Sequence, residues 1–166
     1  MTLSSSLDYT VADERAFRLL SFKWTLAWDK KDIDTWLSIT GPTIVADYTD
    51  YPAVGILKQG SPEELFKSSF SRPNLGHPQQ VKIVETQHFL GAVVFTRVND
   101  NEVRGDWQVR ARHVRRLSDG QSREWDSSAY CEFLYVKINE EWKLGGLRPH
   151  TVVATTGHPE EVIGDF

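Results

Sequence analysis

The stretch Glu102–Leu117, EVRGDWQVRARHVRRL, decides how the rest of the chain is arranged. Taken with a period of two, it separates into two faces. One carries Trp107, Val109, Ala111, His113 and Leu117, with Arg115 near the end; the other carries Gln108, Arg110, Arg112, Val114 and Arg116. Alternation of this kind predicts a strand with one face on a core and the other in water. His113 is the misfit, a titratable ring on the apolar side. A hydrogen-bonded core histidine is the plain reading and a pocket histidine the functional one.

Outward from this strand, the second half of the chain is sheet. Strands are predicted at roughly 80–90, 92–99, 102–117, 124–138 and 141–148, with turns at Gly91, Asn99-Asp100-Asn101, Ser118-Asp119-Gly120 and Asn139-Glu140. Such short connections imply an antiparallel meander. The first half is mainly helical. From Ala12 to about Lys31, Phe17, Leu20, Trp24 and Trp28 recur at helical spacing, flanked by Leu19, Phe22 and Leu26. Asp29 follows Phe22 and Leu26 on that stripe, so it is expected to project from the buried side. A short helix from Asp32 to Ile39 ends at Thr40-Gly41-Pro42, and Thr43–Thr49 reads as a strand with Ile44, Ala46 and Tyr48 on one face.

Asp50–Gly60 reads as an irregular loop. Ser61-Pro62-Glu63-Glu64 is a helix start, with Ser as N-cap and Pro at the first helical position. That helix should run to about Ser71 and bury Leu65, Phe66 and Phe70. The loop 72–78 leaves His77 at the surface. Helices followed by a run of strands make an α+β pattern. A twisted meander beside two or three helices can curl round them into a cone with an apolar pocket. Residues 1–10 are expected to fray, and 150–166, ending in Phe166, to lie over the pocket mouth or stay loose.

Composition narrows the function. The 166 residues, 40% hydrophobic and 25% charged, suit one globular domain spanning 1–166. A formal net charge of -4, with the arginines spread over one solvated face, argues against a nucleic-acid partner. A single cysteine, Cys131, leaves no internal disulfide and fits a reducing compartment. No apolar run is long enough for a membrane span, and the first residues lack the features of a secretory signal, so a cytoplasmic protein is expected. Six tryptophans suit a pocket for a flat apolar molecule, and suit core packing equally.

Three further polar residues are predicted to face the same core as His113. His88 shares a strand face with Val84, Thr86 and Leu90, Tyr48 lies with Ile44 and Ala46, and Asp29 comes off the long helix. Two imidazoles, a carboxylate and a phenol suit proton transfer next to a carbonyl, with no metal and no bound cofactor. A metal held by the His/His/Asp set is the rival, weakened because no two of these residues have ligand spacing on one element.

Several pieces of the chain resemble the scytalone dehydratases. These are Trp28-Asp29-Lys30-Lys31-Asp32, Gly41-Pro42-Thr43 leading to Asp47-Tyr48, Thr86-Gln87-His88-Phe89-Leu90-Gly91, Gln108-Val109-Arg110 with His113, and Trp142-Lys143-Leu144 with Gly146-Leu147-Arg148-Pro149. They run in family order from about residue 12 to 150. The resemblance implies the cone-shaped nuclear-transport-factor-2-like fold and commonly a trimer. It also implies cofactor-free removal of water from scytalone or vermelone in naphthol-melanin biosynthesis.

Carried over residue by residue, it makes His113 the general base–acid and Asp29 the carboxylate orienting it. His88 becomes the second pocket histidine, and Tyr48 one of two tyrosines that hold the reacting carbonyl through a water. The other tyrosine falls at Trp28, and the family's serine and asparagine fall at Ala129 and Cys131. Ser127 shares their face, and a bulge would present Ser128, so either serine can replace the missing donors. With Trp107 and Val109, these residues make the expected substrate wall. Three readings stay open: dehydration of a polyketide-derived hydroxy-ketone, isomerisation or cyclisation of another aromatic polyketide or terpenoid, and non-catalytic binding of a flat apolar ligand.

Overall fold

A computed structural model describes residues 9–51, 55–70, 84–117 and 119–162. Residues 1–8 of the stretch expected to fray, the loop holding His77, the side chain of Phe70 and the lid expected at Phe166 lie outside the described residues. Tyr9 and Thr10, also expected to fray, are docked: the Tyr9 ring meets Phe17 edge-on at 6.0 Å, and Thr10 caps the first helix.

Helix α1 (Val11–Lys30) starts at a capping box. The Asp13 backbone N–H donates to the Thr10 hydroxyl at 3.1 Å, and the Thr10 N–H donates back to the Asp13 carboxylate at 3.0 Å. It stops at Lys31, which takes the left-handed conformation (φ 57°, ψ 40°). That conformation costs a non-glycine residue roughly 1–2 kcal/mol. The Asp32 N–H returns to the Ala27 carbonyl at 2.8 Å and closes the end. Asp32 then caps α2 (Ile33–Ile39) by accepting from the Thr35 N–H at 3.0 Å.

The apolar stripe of α1 is narrower than its sequence implies. Phe17, Leu20, Trp24 and Ala27 are buried, while Leu19 is exposed and Phe22 stands 57% exposed. Phe22 therefore does not mark the buried side, and the reach of Asp29 into the core has another cause, described below.

Six strands follow: β1 (Thr40–Asp47), β2 (Leu57–Gly60), β3 (Glu85–Asn99), β4 (Glu102–Arg116), β5 (Ser122–Ile138) and β6 (Glu141–Gly157), in the sheet order β2-β1-β6-β5-β4-β3. The last four form the expected antiparallel meander. β1 joins β6 in parallel, so the sheet is mixed and not wholly antiparallel. Strand β2 lies in the stretch expected to be irregular, paired with β1 from Ile44↔Gly60 to Asp47↔Leu57.

Gly91 is not a turn. β3 runs through it, and the register against β4 shifts between Leu90 and Val93. A side chain at Gly91 would press on Gln108 at 3.1 Å, so glycine here marks a bulge in a continuous strand. Residues 149–157, which take in the start of the tail expected to lie over the pocket mouth or stay loose, continue β6 along β5 from Cys131↔Pro149 to Trp125↔Gly157, with the register shifting on either side of Ala129. The four-residue α4 (Pro159–Val162) then buries Val162.

Helix α3 (Pro62–Phe70) begins at Ser61, whose hydroxyl accepts from the Glu64 N–H at 3.2 Å. It buries Leu65 and Phe66. The main core forms where α1 lies across the inner face of the sheet. Phe17 stacks on Tyr135 at 4.7 Å and meets Trp142 edge-on at 4.9 Å. Burying one such ring stabilises the fold by about 1.5–3 kcal/mol. Gly105 keeps room for this layer, since a Cβ there would touch the Phe95 ring at 2.9 Å. The Tyr135 hydroxyl lies 2.6 Å from Ser21 Oγ and accepts from Trp107 Nε1 at 2.8 Å, so the buried polar atoms satisfy one another. A second cluster contains Tyr51, Val84, Trp125, Ala129 and Val162. Tyr48 packs against both clusters.

Candidate active site

A cavity of about 180 Å³ is lined by residues of both clusters. An apolar cavity of ~150 Å³ already takes a benzene ring, so a substituted ring fits. Among its wall residues are Tyr48, His88, His113, Trp28, Val109, Ser127, Ala129 and Cys131. Trp107 is not among them. Its ring lies against Phe95 and Phe133 and its N–H is held by Tyr135, so it belongs to the core and not to the expected substrate wall. Ser128 stays in unbroken register with Arg110, so no bulge turns it inward on the β4 side; the inward serine is Ser127.

The sharpest departure from expectation concerns Asp29. Its carboxylate accepts from His88 Nδ1 at 2.6 Å and from the His88 backbone N–H at 3.0 Å. The carboxylate that the resemblance assigns to His113 therefore serves His88. The reason is positional: α1 crosses β3, and β4, which carries His113, lies one strand further from that edge. Thr86 Oγ1 lies 3.3 Å from the same carboxylate and accepts from Lys31 Nζ at 2.8 Å. The Lys31 Nζ also donates to the Asp29 carbonyl at 3.1 Å. This network holds Asp29 inward, in place of the apolar neighbours on its helix. It also fixes the tautomer of His88: with Nδ1–H given to Asp29, neutral His88 presents a bare Nε2.

Burial pushes the Lys31 ammonium down to about 8, opposed by the Asp29 charge. Lys31 lines the cavity, and nothing in the sequence marked it, because a lysine at a helix end is ordinarily solvated. Its placement depends on the left-handed turn.

His113 lies in a different environment. It is 9% exposed, its ring stacks on Trp125 at 4.6 Å and 21°, and its Nδ1 has no hydrogen-bond partner among the described residues. Burial first, then the nearby charges of His88 and Lys31, push its pKa down to about 3. At neutral pH it is an uncharged imidazole. The two histidine rings stand 5.9 Å apart at 86°. The Trp24 indole meets His88 edge-on at 4.7 Å.

Burial likewise pushes the Tyr48 phenol up, which keeps its O–H as a donor. Tyr48 sits just past β1, where the Tyr51 N–H closes a turn onto the Tyr48 carbonyl at 3.0 Å. That turn also carries Tyr51 to the cavity wall, where its hydroxyl donates to Ser127 Oγ at 2.6 Å. Tyr51 and Trp125 were missed in the sequence. The two-residue period that marks Ser127, Ala129 and Cys131 also includes Trp125, so that signal was present. Nothing local marked Tyr51. Among the described residues, no group of three or more His, Cys, Asp or Glu side chains could hold a metal ion.

The profile of the scytalone dehydratase family matches residues 8–160. The chain belongs to that family. It is 33% identical over 142 residues to scytalone dehydratase arp1 of Aspergillus fumigatus, covering 82% of this chain and 80% of that one. It is 31% identical over 134 residues to scytalone dehydratase-like protein mdpB of Emericella nidulans, covering 78% of this chain and 59% of that relative's length.

In fold, it is similar to hexachlorocyclohexane dehydrochlorinase LinA-type3 from Novosphingobium barchaimii (TM-score 0.66, 15% identity, 89% of this chain and 91% of that one). It is also similar to a cystatin-like protein from Nostoc punctiforme (TM-score 0.58, 17% identity, 86% and 92%). The fold is thus α+β of the nuclear-transport-factor-2-like, cystatin-like kind, as the resemblance implied. Family membership supports an enzyme of the lyase type. No described helix is long and apolar enough to cross a membrane.

Proposed function

We propose that this family member removes water from a polyketide-derived hydroxy-ketone, such as scytalone, by proton transfer through an enolate. The observation that carries the reading is the Asp29–His88 pair facing an uncharged His113 across 5.9 Å at the wall of an apolar cavity. His88 Nε2 takes the proton from the carbon beside the ketone. The electron pair moves into the ring and the ketone oxygen becomes an enolate, which the Tyr48 O–H stabilises. Asp29 supports the imidazolium that forms. As the enolate collapses, the bond to the β-hydroxyl breaks, and the departing oxygen takes the proton back from His88. One water leaves and His88 is regenerated. His113 holds the departing hydroxyl by a hydrogen bond; its depressed basicity makes His88, not His113, the base in this scheme. The route uses no metal and no cofactor.

Incubation with scytalone and a panel of related hydroxy-ketones tests the proposal. A product lighter by one water, formed by the wild type and lost in His88→Ala, is expected. No turnover of any hydroxy-ketone would overturn it. A product of unchanged mass would assign isomerisation instead, a reading favoured by Trp28, Ala129 and Cys131 standing where the family has tyrosine, serine and asparagine. A small-molecule substrate as the main partner, self-association as a trimer and a cytoplasmic location complete the proposal. Sedimentation of the purified chain tests the trimer.

A further inference from the structure

The two polar side chains missing from β5 leave Ala129 with no donor and Cys131 with its Sγ turned to a neighbouring carbonyl, 3.9 Å from Glu132 O. On the same face, Ser127 is only 5% exposed and already accepts from Tyr51 at 2.6 Å. That bond uses the Tyr51 hydrogen. The Ser127 O–H hydrogen has no acceptor among the described residues, at a site where an unused buried donor is costly. Both groups line the cavity.

The sheet register fixes what they face. His88 pairs with Ala111 on β4, and Ala111 pairs with Ser127 on β5. The three lie in one row, and the residue between the two polar groups is a single methyl. Neighbouring strands are about 4.8 Å apart, so the backbones of His88 and Ser127 stand ~10 Å apart. A ring seated over Ala111 therefore meets His88 with one edge and the Ser127 hydroxyl with the other. The next row is filled by His113 paired with Trp125, whose stacked rings border that seat.

We propose that the Tyr51–Ser127 hydroxyl pair is a specificity-determining pole that binds a hydroxyl or carbonyl oxygen on the substrate edge opposite the edge facing His88. Ser127 donates to that oxygen, and Tyr51, donating to Ser127, strengthens the bond. The substrate class is a flat ring compound with oxygen at both edges. The inference rests on His88 marking the reacting edge.

Two inert probes test it: 1-tetralone, with oxygen at one end, and 6-hydroxy-1-tetralone, with oxygen at both. Binding is measured by calorimetry on wild type, Ser127→Ala and Tyr51→Phe, with circular dichroism to verify folding. Wild type should favour the hydroxylated probe roughly five- to tenfold, the weight of one neutral hydrogen bond. Ser127→Ala should erase that preference and Tyr51→Phe should reduce it, with 1-tetralone affinity unchanged. Absence of the preference in wild type, or its survival in Ser127→Ala, overturns the pole. Tyr51→Phe keeps the ring and its packing, so it retains the test should Ser127→Ala fold poorly. Turnover by Asp29→Asn separates the two proposals. A fully active Asp29→Asn variant with the probe preference intact would sink the dehydration scheme and leave the pole standing.

Discussion

The two walls of the cavity are built from different chemistry. On the α1–β3 side, Asp29, His88, Thr86 and Lys31 form one connected network around a carboxylate. On the β5 side, with the turn after β1, the groups are uncharged: a phenol on a serine, an alanine and a buried thiol that burial keeps protonated. His113 lies between them and takes its character from the neutral side, stacked on Trp125 and without a carboxylate. The contrast shows how one pocket divides its work. A carboxylate can support a proton carrier only where its own hydrogen bonds are satisfied, and the end of α1 over β3 supplies them. The opposite wall can vary its donors without disturbing that network, because it shares no charge with it.

The largest effect expected from breaking the charged wall is on turnover. His88→Ala should lower kcat by something on the order of 10²–10⁴, the range of positioned acid–base groups, and Asp29→Asn should follow it. Wild-type turnover by His88→Ala would return the base to His113.

The neutral side is tested by pH. Unfolded, His113 takes up a proton near pH 6.5, and folded only near pH 3. Its contribution to stability is therefore whole above pH 6.5 and is lost as the pH falls toward 3, at up to about 1.4 kcal/mol per pH unit. Denaturant titrations across that window should show a shallower acid loss for His113→Asn than for wild type. Equal slopes would mean that the folded ring takes up its proton as readily as the unfolded one.

A core residue sharpens the boundary of the site. Trp107→Phe removes the N–H held by Tyr135 and should cost about 1–3 kcal/mol of stability while leaving the Michaelis constant unchanged. A raised Michaelis constant at unchanged stability would restore Trp107 to the substrate wall. The smallest effect belongs to the outer face. Arg110 pairs with Asp126 at 2.8 Å across β4 and β5, and Arg110→Ala should shift stability by about 1 kcal/mol or less, read from the thermal midpoint.

Much of this arrangement is legible in the order of the residues alone. The period of two in Glu102–Leu117 correctly predicts which side chains of β4 turn inward, because strand pleating leaves a side chain only two directions. The same rule places His88 on β3 and Ser127, Ala129 and Cys131 on β5, and the capping residues Asp32 and Ser61 mark their helices through bonds made within four residues. What tertiary structure decided is the pairing between elements. Asp29 binds His88 and not His113 because of where α1 crosses the sheet. Lys31 reaches the cavity because the chain turns left-handed there, and the turn after β1 brings Tyr51 to Ser127, 76 residues away in sequence. Local period and capping act over a few residues and are written in residue order. The partner of a buried polar group is set by which backbone lies opposite it, and that is fixed only when helix and sheet pack.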